Sequence, residues 1–185
     1  MTGSSGAIVW LTGRPASGKS TLAERVKTAL DRRGIASCVL NSDEVREALA
    51  NRDYSPAGRD RFYGTLAALA GLLSEQGIIV LVAATAHRAI YRARARQIAS
   101  HFIEVYVATS ARECAKRDPK RLYRDADNGS RAVASLPGMQ VPYEVPIHPD
   151  IVATGGMDAA AADAIVDRIV ELSNETRDRK RQQWR

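Results

Sequence analysis

The sequence predicts an α/β fold: a parallel five-stranded sheet with helices on both faces and a lid segment. Short apolar runs alternate along the chain with longer segments in which apolar residues recur at helical spacing. A continuous apolar run such as residues 78–82 is typical of a strand buried on both faces. A glycine-rich turn at residues 13–18 joins the first apolar run to the first helical segment. Ligands of such sheets bind beyond the carboxyl ends of the strands, so we expect the chemistry at that edge.

The individual elements follow from local signals in chain order. Leu22, Val26 and Leu30 recur at helical spacing in the first helix, which should end near Arg33 because Gly34 follows. The predicted strands are residues 7–12, 35–40, 78–82, 102–107 and a weak fifth at 151–152. The predicted helices are residues 18–33, 45–50, 59–76, 89–99, 110–117 and 158–174.

Two expectations concern particular helices. Ser42 or Asp43 is expected to cap the second helix, since short polar side chains accept hydrogen bonds from the first free N–H groups. The third helix should carry an apolar side, and its predicted members are Leu66, Leu69, Ala70, Leu72 and Leu73.

Length and composition predict one cytoplasmic domain over residues 1–185, with a flexible leader at 1–6, a lid at 118–149 and a basic tail at 175–185. No apolar run approaches the roughly 20 residues that a membrane span needs, and the amino terminus lacks a signal-peptide pattern. The net charge is +6, but residues 177–185 hold five basic residues against one acidic residue. The rest of the chain is nearly neutral, so the charge does not favour a nucleic-acid partner.

Residues 13–20 match the pattern G-x-x-x-x-G-K-[ST], which cradles nucleotide phosphates. Its glycines let successive backbone N–H groups turn inward, and Lys19 adds a positive charge for the β- and γ-phosphates. The Ser20 hydroxyl is the expected ligand of the phosphate-bound Mg²⁺. The predicted nucleotide-binding residues are Gly13, Arg14, Pro15, Ala16, Ser17, Gly18, Lys19, Ser20 and Thr21.

Asp43 is the second candidate catalytic residue, because it follows the second strand at the ligand edge of the sheet. A carboxylate there either accepts a hydroxyl proton or binds Mg²⁺, and the alternative is a plain helix cap. Arg46, one helical turn further, can hold an anionic group of the acceptor. No acidic residue ends the run 78–82, so the strand lacks the acid of a Walker B motif. No N-K-x-D guanine signature occurs either, and we therefore expect ATP rather than GTP.

Other side chains give weaker indications. The segment 118–149 is expected to close over phosphates and exclude water, and the alternative is a surface excursion. Its basic residues are Lys120, Arg121, Arg124 and Arg131. Trp10 is expected in the core, and Cys38 and Cys114 as buried, reduced thiols. The three histidines lack partners at catalytic or metal spacing and are expected to be surface or loop residues: His87, His101 and His148.

Residues 8–154 resemble the adenylylsulfate kinase family. The stretches that carry the resemblance are Trp10-Leu11-Thr12-Gly13 with the phosphate loop, Leu40-Asn41-Ser42-Asp43-Glu44-Val45-Arg46, residues 102–107, Arg117-Asp118-Pro119-Lys120 with Leu122-Tyr123, and Pro142-Tyr143-Glu144. The resemblance implies transfer of the γ-phosphoryl group of MgATP to the ribose 3′-hydroxyl of adenosine 5′-phosphosulfate, by a homodimer. It implies a metal- or hydroxyl-facing acid at Asp43, a phosphate contact at Arg46 and a ring at Tyr54 that stacks on the adenine of the acceptor. Arg117 and Lys120 would belong to the ATP side.

The acceptor half departs from the family pattern. The family's Asp-Gly-Asp appears as Asn41-Ser42-Asp43, while Phe62 and Gly64 replace an asparagine and an arginine that hold the acceptor. A serine and a lid lysine of the family fall at Ala86 and Ala134. The expected acceptor pocket is bounded by Asp43, Arg46, Tyr54 and Phe62, with Arg59, Arg61 or Arg88 as compensating anion contacts. Adenosine 5′-phosphosulfate, another small anionic acceptor and a nucleotide-binding regulator without transferase activity all stay open.

Overall fold

The computed structural model describes residues 6–117 and 141–183, with side chains described as far as residue 175. One parallel sheet has the strand order β2-β3-β1-β4-β5. Its strands are β1 (Ala7–Thr12), β2 (Ser37–Asn41), β3 (Ile79–Ala83), β4 (Phe102–Val107) and β5 (Ile151–Ala153). The helices are α1 (Lys19–Arg32), α2 (Ser42–Ala48), α3 (Pro56–Glu75), α4 (Ala89–Ile98), α5 (Ala111–Arg117) and α6 (Ala159–Gln183). The predicted parallel five-stranded sheet with helices on both faces is confirmed.

Apolar side chains bury both faces of the sheet. Along β1, Val9 and Leu11 pack with residues of α1 and α6, whereas Ile8 and Trp10 pack with residues of α3 and α4. Successive strand residues point to opposite faces, so a central strand must be apolar at every position to fill both clusters. Trp10 is fully buried, as predicted.

The parallel register brings the carboxyl ends of the strands to one edge. Ala83 at the end of β3 is paired with both Asn41 on β2 and Leu11 on β1, and Thr12 is paired with Tyr106 on β4. The loops that follow β1, β2, β3 and β4 therefore begin side by side. This edge is the one at which the sequence predicts ligand binding.

The start of α2 differs from its prediction. Asn41, and neither Ser42 nor Asp43, is the N-cap, because its Oδ1 accepts a hydrogen bond from the backbone N of Asp43 at 3.1 Å. Strand β2 continues to Asn41 and α2 begins at once with Ser42, so the chain turns earlier than the predicted start at residue 45. The cap prediction was wrong, and so was the reading of Asp43 as a plain helix cap.

Two further helices differ from expectation. Leu72 is 58% exposed, because it lies about 200° around α3 from the buried Ala70. Helix α6 runs to Gln183, past the predicted end at residue 174. Some predicted features lie outside the described residues: Lys120, Arg121, Arg124, Arg131, Ala134 and Trp184. None of the helices in the described ranges has the length and apolarity that crossing a bilayer requires.

Candidate active site

The glycine-rich loop between β1 and α1 has a conformation that its glycines make possible. Gly18 has φ +101°, and a Cβ there would lie 2.5 Å from the backbone N of Gly156. A Cβ on Gly13 would lie 2.6 Å from the carbonyl oxygen of Val107. The loop is thus enclosed by the end of β4 and by the β5–α6 loop, and it leads directly into the N-terminus of α1, where helices bind anions.

Lys19, the first residue of α1, folds back over this loop. Its Nζ donates hydrogen bonds to the carbonyl oxygens of Gly13 at 3.1 Å and Arg14 at 2.8 Å. Burial lowers the pKa of Lys19 to about 8, while the carboxylate of Asp43 acts in the opposite direction. A triphosphate in the loop would offer the ammonium group stronger, charged partners than these two carbonyls.

The residues around the loop fit a phosphate chain with its Mg²⁺. Ser17 Oγ and Arg14 Nε are buried without a hydrogen-bond partner in the described part of the chain. Ser20 is exposed at the first turn of α1, and its Oγ accepts a hydrogen bond from Asn41 Nδ2 at 3.2 Å. Among the described residues no group of three or more His, Cys, Asp or Glu could hold a metal ion. The Ser20 hydroxyl would therefore hold Mg²⁺ together with phosphate and water oxygens, an arrangement that Mg²⁺ commonly adopts.

Asp43 lies in the first turn of α2, opposite the phosphate loop. Its carboxylate interacts electrostatically with both the Lys19 ammonium and the Arg46 guanidinium. Asn41 connects the two sides, since its Nδ2 donates to Ser20 Oγ and also to Glu44 Oε1 at 3.1 Å. The Asp43 carboxylate is therefore within electrostatic range of both Lys19 and Arg46.

Arg46 is buried between aromatic rings. It is 7% exposed, and its Cζ lies 3.7 Å from the ring centroid of Phe62 and 4.5 Å from that of Tyr54. Its Nη1 donates to Asn51 Oδ1 at 2.8 Å. Phe62 is only 1% exposed, so its ring supports the guanidinium from below, whereas Tyr54 is 52% exposed and its ring remains accessible. Such cation–π contacts gain strength from desolvation.

Two hydrogen bonds of Thr12, the last residue of β1, link the loop after β3 to Tyr143. Thr12 Oγ1 donates to the carbonyl oxygen of Thr85 at 2.7 Å and lies 2.9 Å from the hydroxyl of Tyr143. The Arg14 guanidinium lies 5.9 Å from the centroid of the Tyr143 ring. The Pro142–Glu144 stretch thus contacts both the end of β1 and the phosphate loop through Tyr143.

The remaining predicted site residues lie in two places. Arg59 is buried on α3 and interacts electrostatically with Arg46 and His87, and Arg88 is exposed just before α4. Arg117, at the end of α5, lies on the other side of the phosphate loop: a Cβ on Gly155 would be 3.6 Å from its Nη1. Lys120 lies outside the described residues.

A family model for adenylylsulphate kinase matches residues 5–154. The chain belongs to the adenylylsulfate kinase family. It is 33% identical to an adenylyl-sulfate kinase of Prochlorococcus marinus over 176 residues, 92% of this chain and 87% of that protein. It is 37% identical to an adenylyl-sulfate kinase of Pseudomonas aeruginosa over 148 residues, 78% of this chain and 74% of that protein.

A solved structure of the same family superimposes on most of the chain. The APS kinase of Mycobacterium tuberculosis, in complex with AMPPNP and APS, matches with a TM-score of 0.83 and 34% identity. The match covers 90% of this chain and 98% of that structure. The family assignment drawn from the sequence motifs is confirmed.

His87 is a member of the site that the sequence did not indicate. It lies in the loop after β3, as the expectation of a surface or loop residue allowed, but in this adenylylsulfate kinase homologue it is buried, with only 4% of its surface exposed. Sequence reasoning missed it because its neighbours Arg59 and Glu144 come from distant segments of the chain. The Pro142–Glu144 stretch was the available signal, since Glu144 donates its backbone N–H to the carbonyl oxygen of His87 at 2.8 Å.

Burial lowers the pKa of His87 to about 4, and the guanidinium groups of Arg59 and Arg88 act in the same direction. In the unfolded chain the pKa is about 6.5. Protonation therefore favours unfolding: the contribution of His87 to stability is complete above about pH 6.5 and is lost as the pH falls toward 4. We expect this loss to be about 3 kcal/mol. Urea unfolding between pH 4.5 and 7.5 measures it, and His87→Gln should remove it.

The exposed His148 supplies the matched control for this prediction. His148→Gln should keep the wild-type dependence of the unfolding free energy on pH. Equal dependence on pH in wild type and His87→Gln would show that His87 is not held neutral by burial.

Proposed function

We propose that this protein is an ATP-dependent kinase that transfers the γ-phosphoryl group of MgATP to the 3′-hydroxyl of adenosine 5′-phosphosulfate. The observation that carries the proposal is the hydrogen-bonded link from Ser20 through the side chain of Asn41 to the backbone of Asp43, with the Asp43 carboxylate interacting electrostatically with Lys19 and Arg46. A hydroxyl held by Arg46 would meet the terminal phosphate beside this carboxylate. Membership of the adenylylsulfate kinase family supports the same reaction.

The donor half binds and orients the triphosphate. Backbone N–H groups of residues 13–18, except that of Pro15, which has none, would hold the phosphate oxygens. Lys19 would leave its carbonyl partners for the β- and γ-phosphates. Mg²⁺ bound at the Ser20 hydroxyl would neutralise charge on the phosphates. Arg117, beside Gly155 and on the far side of the loop from Asp43, would contact the nucleotide base or ribose.

The acceptor half holds an anion and a hydroxyl. We assign Arg46, Arg59 and Arg88 to the anionic group, and the accessible ring of Tyr54 to the adenine. Asp43 would take the proton of the attacking hydroxyl, or hold it toward the metal, while Lys19 stabilises the charge that develops on the transferred group. Transfer to a hydroxyl in place of water would depend on this placement, because phosphoryl transfer is catalysed largely by positioning and charge.

A different small anionic acceptor is the second candidate. The observation that favours it is the stacking of Phe62 on Arg46, because Phe62 stands where the family has an asparagine that holds the acceptor. Asn41, in place of an acidic residue, removes a further charge near Ser20. The pocket therefore keeps the arginines at positions 46, 59 and 88, but it loses one amide at Phe62 and one guanidinium at Gly64 relative to the family pattern.

ADP release with adenosine 5′-phosphosulfate tests the proposal, with identification of the phosphorylated product. Turnover at least ~10-fold above ATP hydrolysis without acceptor would support it, and adenosine 5′-monophosphate serves as the matched acceptor that lacks the sulfate. Background turnover with adenosine 5′-phosphosulfate, but transfer to another member of an anionic metabolite panel, would establish the second candidate. MgATP binding without transfer to any acceptor would identify a nucleotide-binding regulator.

We also assign this kinase to the cytoplasm, where ATP is available, and propose a homodimer, as the resemblance implies. Exposed apolar side chains on α3 and α4 support the latter, because a second copy can cover them. They are Leu72, Ile90 and Ile98.

A further inference from the structure

The turn that leaves β3 contains a residue in an unfavourable conformation. Ala86 has φ +38° and is fully buried. A residue with a Cβ rarely adopts a positive φ, and such positions persist only where the surroundings hold them. This turn follows the carboxyl end of β3, which is paired with the strand that leads into the phosphate loop.

Two side chains hold the backbone of Ala86 from opposite ends. Its N–H donates to the hydroxyl of Tyr63 on α3 at 3.0 Å, and its carbonyl oxygen accepts from Arg92 Nη1 on α4 at 2.8 Å. Arg92 is itself buried and fixed, since its Nε donates to Glu104 Oε1 at 2.7 Å and its Nη2 to the carbonyl oxygen of Glu144 at 2.9 Å. Both polar groups of the strained residue are thus bound by side chains from outside the turn.

The Pro142–Glu144 stretch holds the outer side of the same turn. The backbone N of Glu144 donates to the carbonyl oxygen of His87 at 2.8 Å, and Glu144 Oε2 accepts from the backbone N of Ala89 at 2.6 Å. The turn is therefore bound by α3, α4 and this stretch together. The orientation of the turn, and with it the orientation of His87 and Arg88, is therefore set by residues outside the turn.

The side chain presented by the turn is not satisfied by the fold. His87 is buried, and within the described residues its Nδ1 has no hydrogen-bond partner. Its electrostatic neighbours include Arg59 and Arg88. A buried polar atom without a partner costs free energy, as does a positive φ at alanine. Two such costs in one turn indicate a conformation selected for its position at the site and not for stability alone.

We propose that Tyr63 and Arg92 are positioning residues for the acceptor: they hold the Ala86 turn so that His87 and Arg88 face the anionic acceptor. This inference rests on the proposed function. Tyr63 and Arg92 would touch neither MgATP nor the acceptor, because both act through the backbone of Ala86. Loss of either hydrogen bond to Ala86 should therefore weaken the binding of the acceptor and leave the binding of MgATP unchanged.

Tyr63→Phe is the sharpest test, because it removes one oxygen atom and keeps the ring that stacks on Tyr91 with centroids 4.5 Å apart. We expect the KM for adenosine 5′-phosphosulfate to rise about 5- to 10-fold while the KM for MgATP changes less than twofold. Arg92→Met should have the larger effect, since it frees both Ala86 and Glu144. If Arg92→Met fails to fold, Tyr63→Phe carries the test alone.

Two matched controls accompany these variants. Tyr91→Phe removes the hydroxyl of the ring stacked on Tyr63, and Arg94→Met removes a half-buried arginine of α4 that pairs with Asp60 at 3.0 Å. Tyr91→Phe keeps the ring that contacts His87 and Arg88, so both variants should keep the wild-type KM for the acceptor. A lowered melting temperature of Tyr63→Phe with unchanged KM values would overturn the inference, because it is the result of a structural role alone. Wild-type protein without transfer to adenosine 5′-phosphosulfate would instead overturn the proposed function, and this inference with it.

Discussion

Lys19→Met should lower kcat/KM for phosphoryl transfer by about 10²–10³-fold, the effect of removing one charged donor from a transition state. The ammonium group now lies over the carbonyl oxygens of Gly13 and Arg14, directly at the phosphate site. Its replacement by an apolar chain of similar length should leave α1 helical, and it removes the charge together with these two hydrogen bonds. Steady-state kinetics and calorimetric titration with MgATP measure the loss.

The pH dependence of MgATP binding supplies a second readout for Lys19. Because burial lowers the pKa of Lys19 to about 8, the free protein loses this charge as the pH rises above 8. Wild-type affinity for MgATP should then decrease above pH 8, and that of Lys19→Met should not respond in this range.

Lys27→Met is the matched control on the same helix. Lys27 lies in an exposed pair with Asp31, with 2.7 Å between Nζ and Oδ2. Activity and MgATP affinity of this variant should equal those of the wild type. A Lys19→Met protein within about threefold of the wild type would refute the phosphate role of the loop, and with it the interpretation as a kinase.

Asp43→Asn should lower kcat by about 10²–10⁴-fold, the usual contribution of a positioned acid or base. Asparagine keeps the shape of the side chain and the backbone hydrogen bond from residue 43 to Asn41 Oδ1, so α2 should stay capped. It can neither accept the hydroxyl proton nor balance the charges of Lys19 and Arg46. Single-turnover measurements at saturating MgATP and acceptor isolate this step.

The Mg²⁺ concentration dependence separates the two roles of Asp43. If it acts as the base, Asp43→Asn keeps the Mg²⁺ concentration for half-maximal MgATP binding; if it binds the metal, that concentration rises. Glu47→Gln, an exposed acidic residue on the same helix, is the control and should match the wild type. An Asp43→Asn enzyme with wild-type kcat would remove the carboxylate from the reaction.

The donor half could be predicted from the sequence because its geometry is local. Strand β1, the loop 13–18 and helix α1 are consecutive, and their conformation depends on glycines and apolar spacing that a single stretch displays. The position of Asp43 at the ligand edge also followed, because parallel strands end together. Its helix-cap alternative could not be excluded in advance, since it depended on where β2 ended.

The acceptor half required the packed chain. Arg46, Tyr54 and Phe62 meet only because α2 and α3 fold against each other, and this contact gives Phe62 a supporting role that its position in the sequence does not reveal. The hydroxyl of Tyr143 reaches Thr12 across 131 positions of the chain.

The amino-acid sequence was enough to predict an α/β nucleotide-binding protein, its phosphate loop and the candidate catalytic carboxylate of Asp43, because these depend on interactions between near neighbours. The stacking of Arg46 on Phe62, the two hydrogen bonds to the backbone of Ala86 and the burial of His87 arise only when separate helices and loops pack at one edge of the sheet. Side-chain contacts of that kind depend on tertiary distances, which no local pattern of residues encodes.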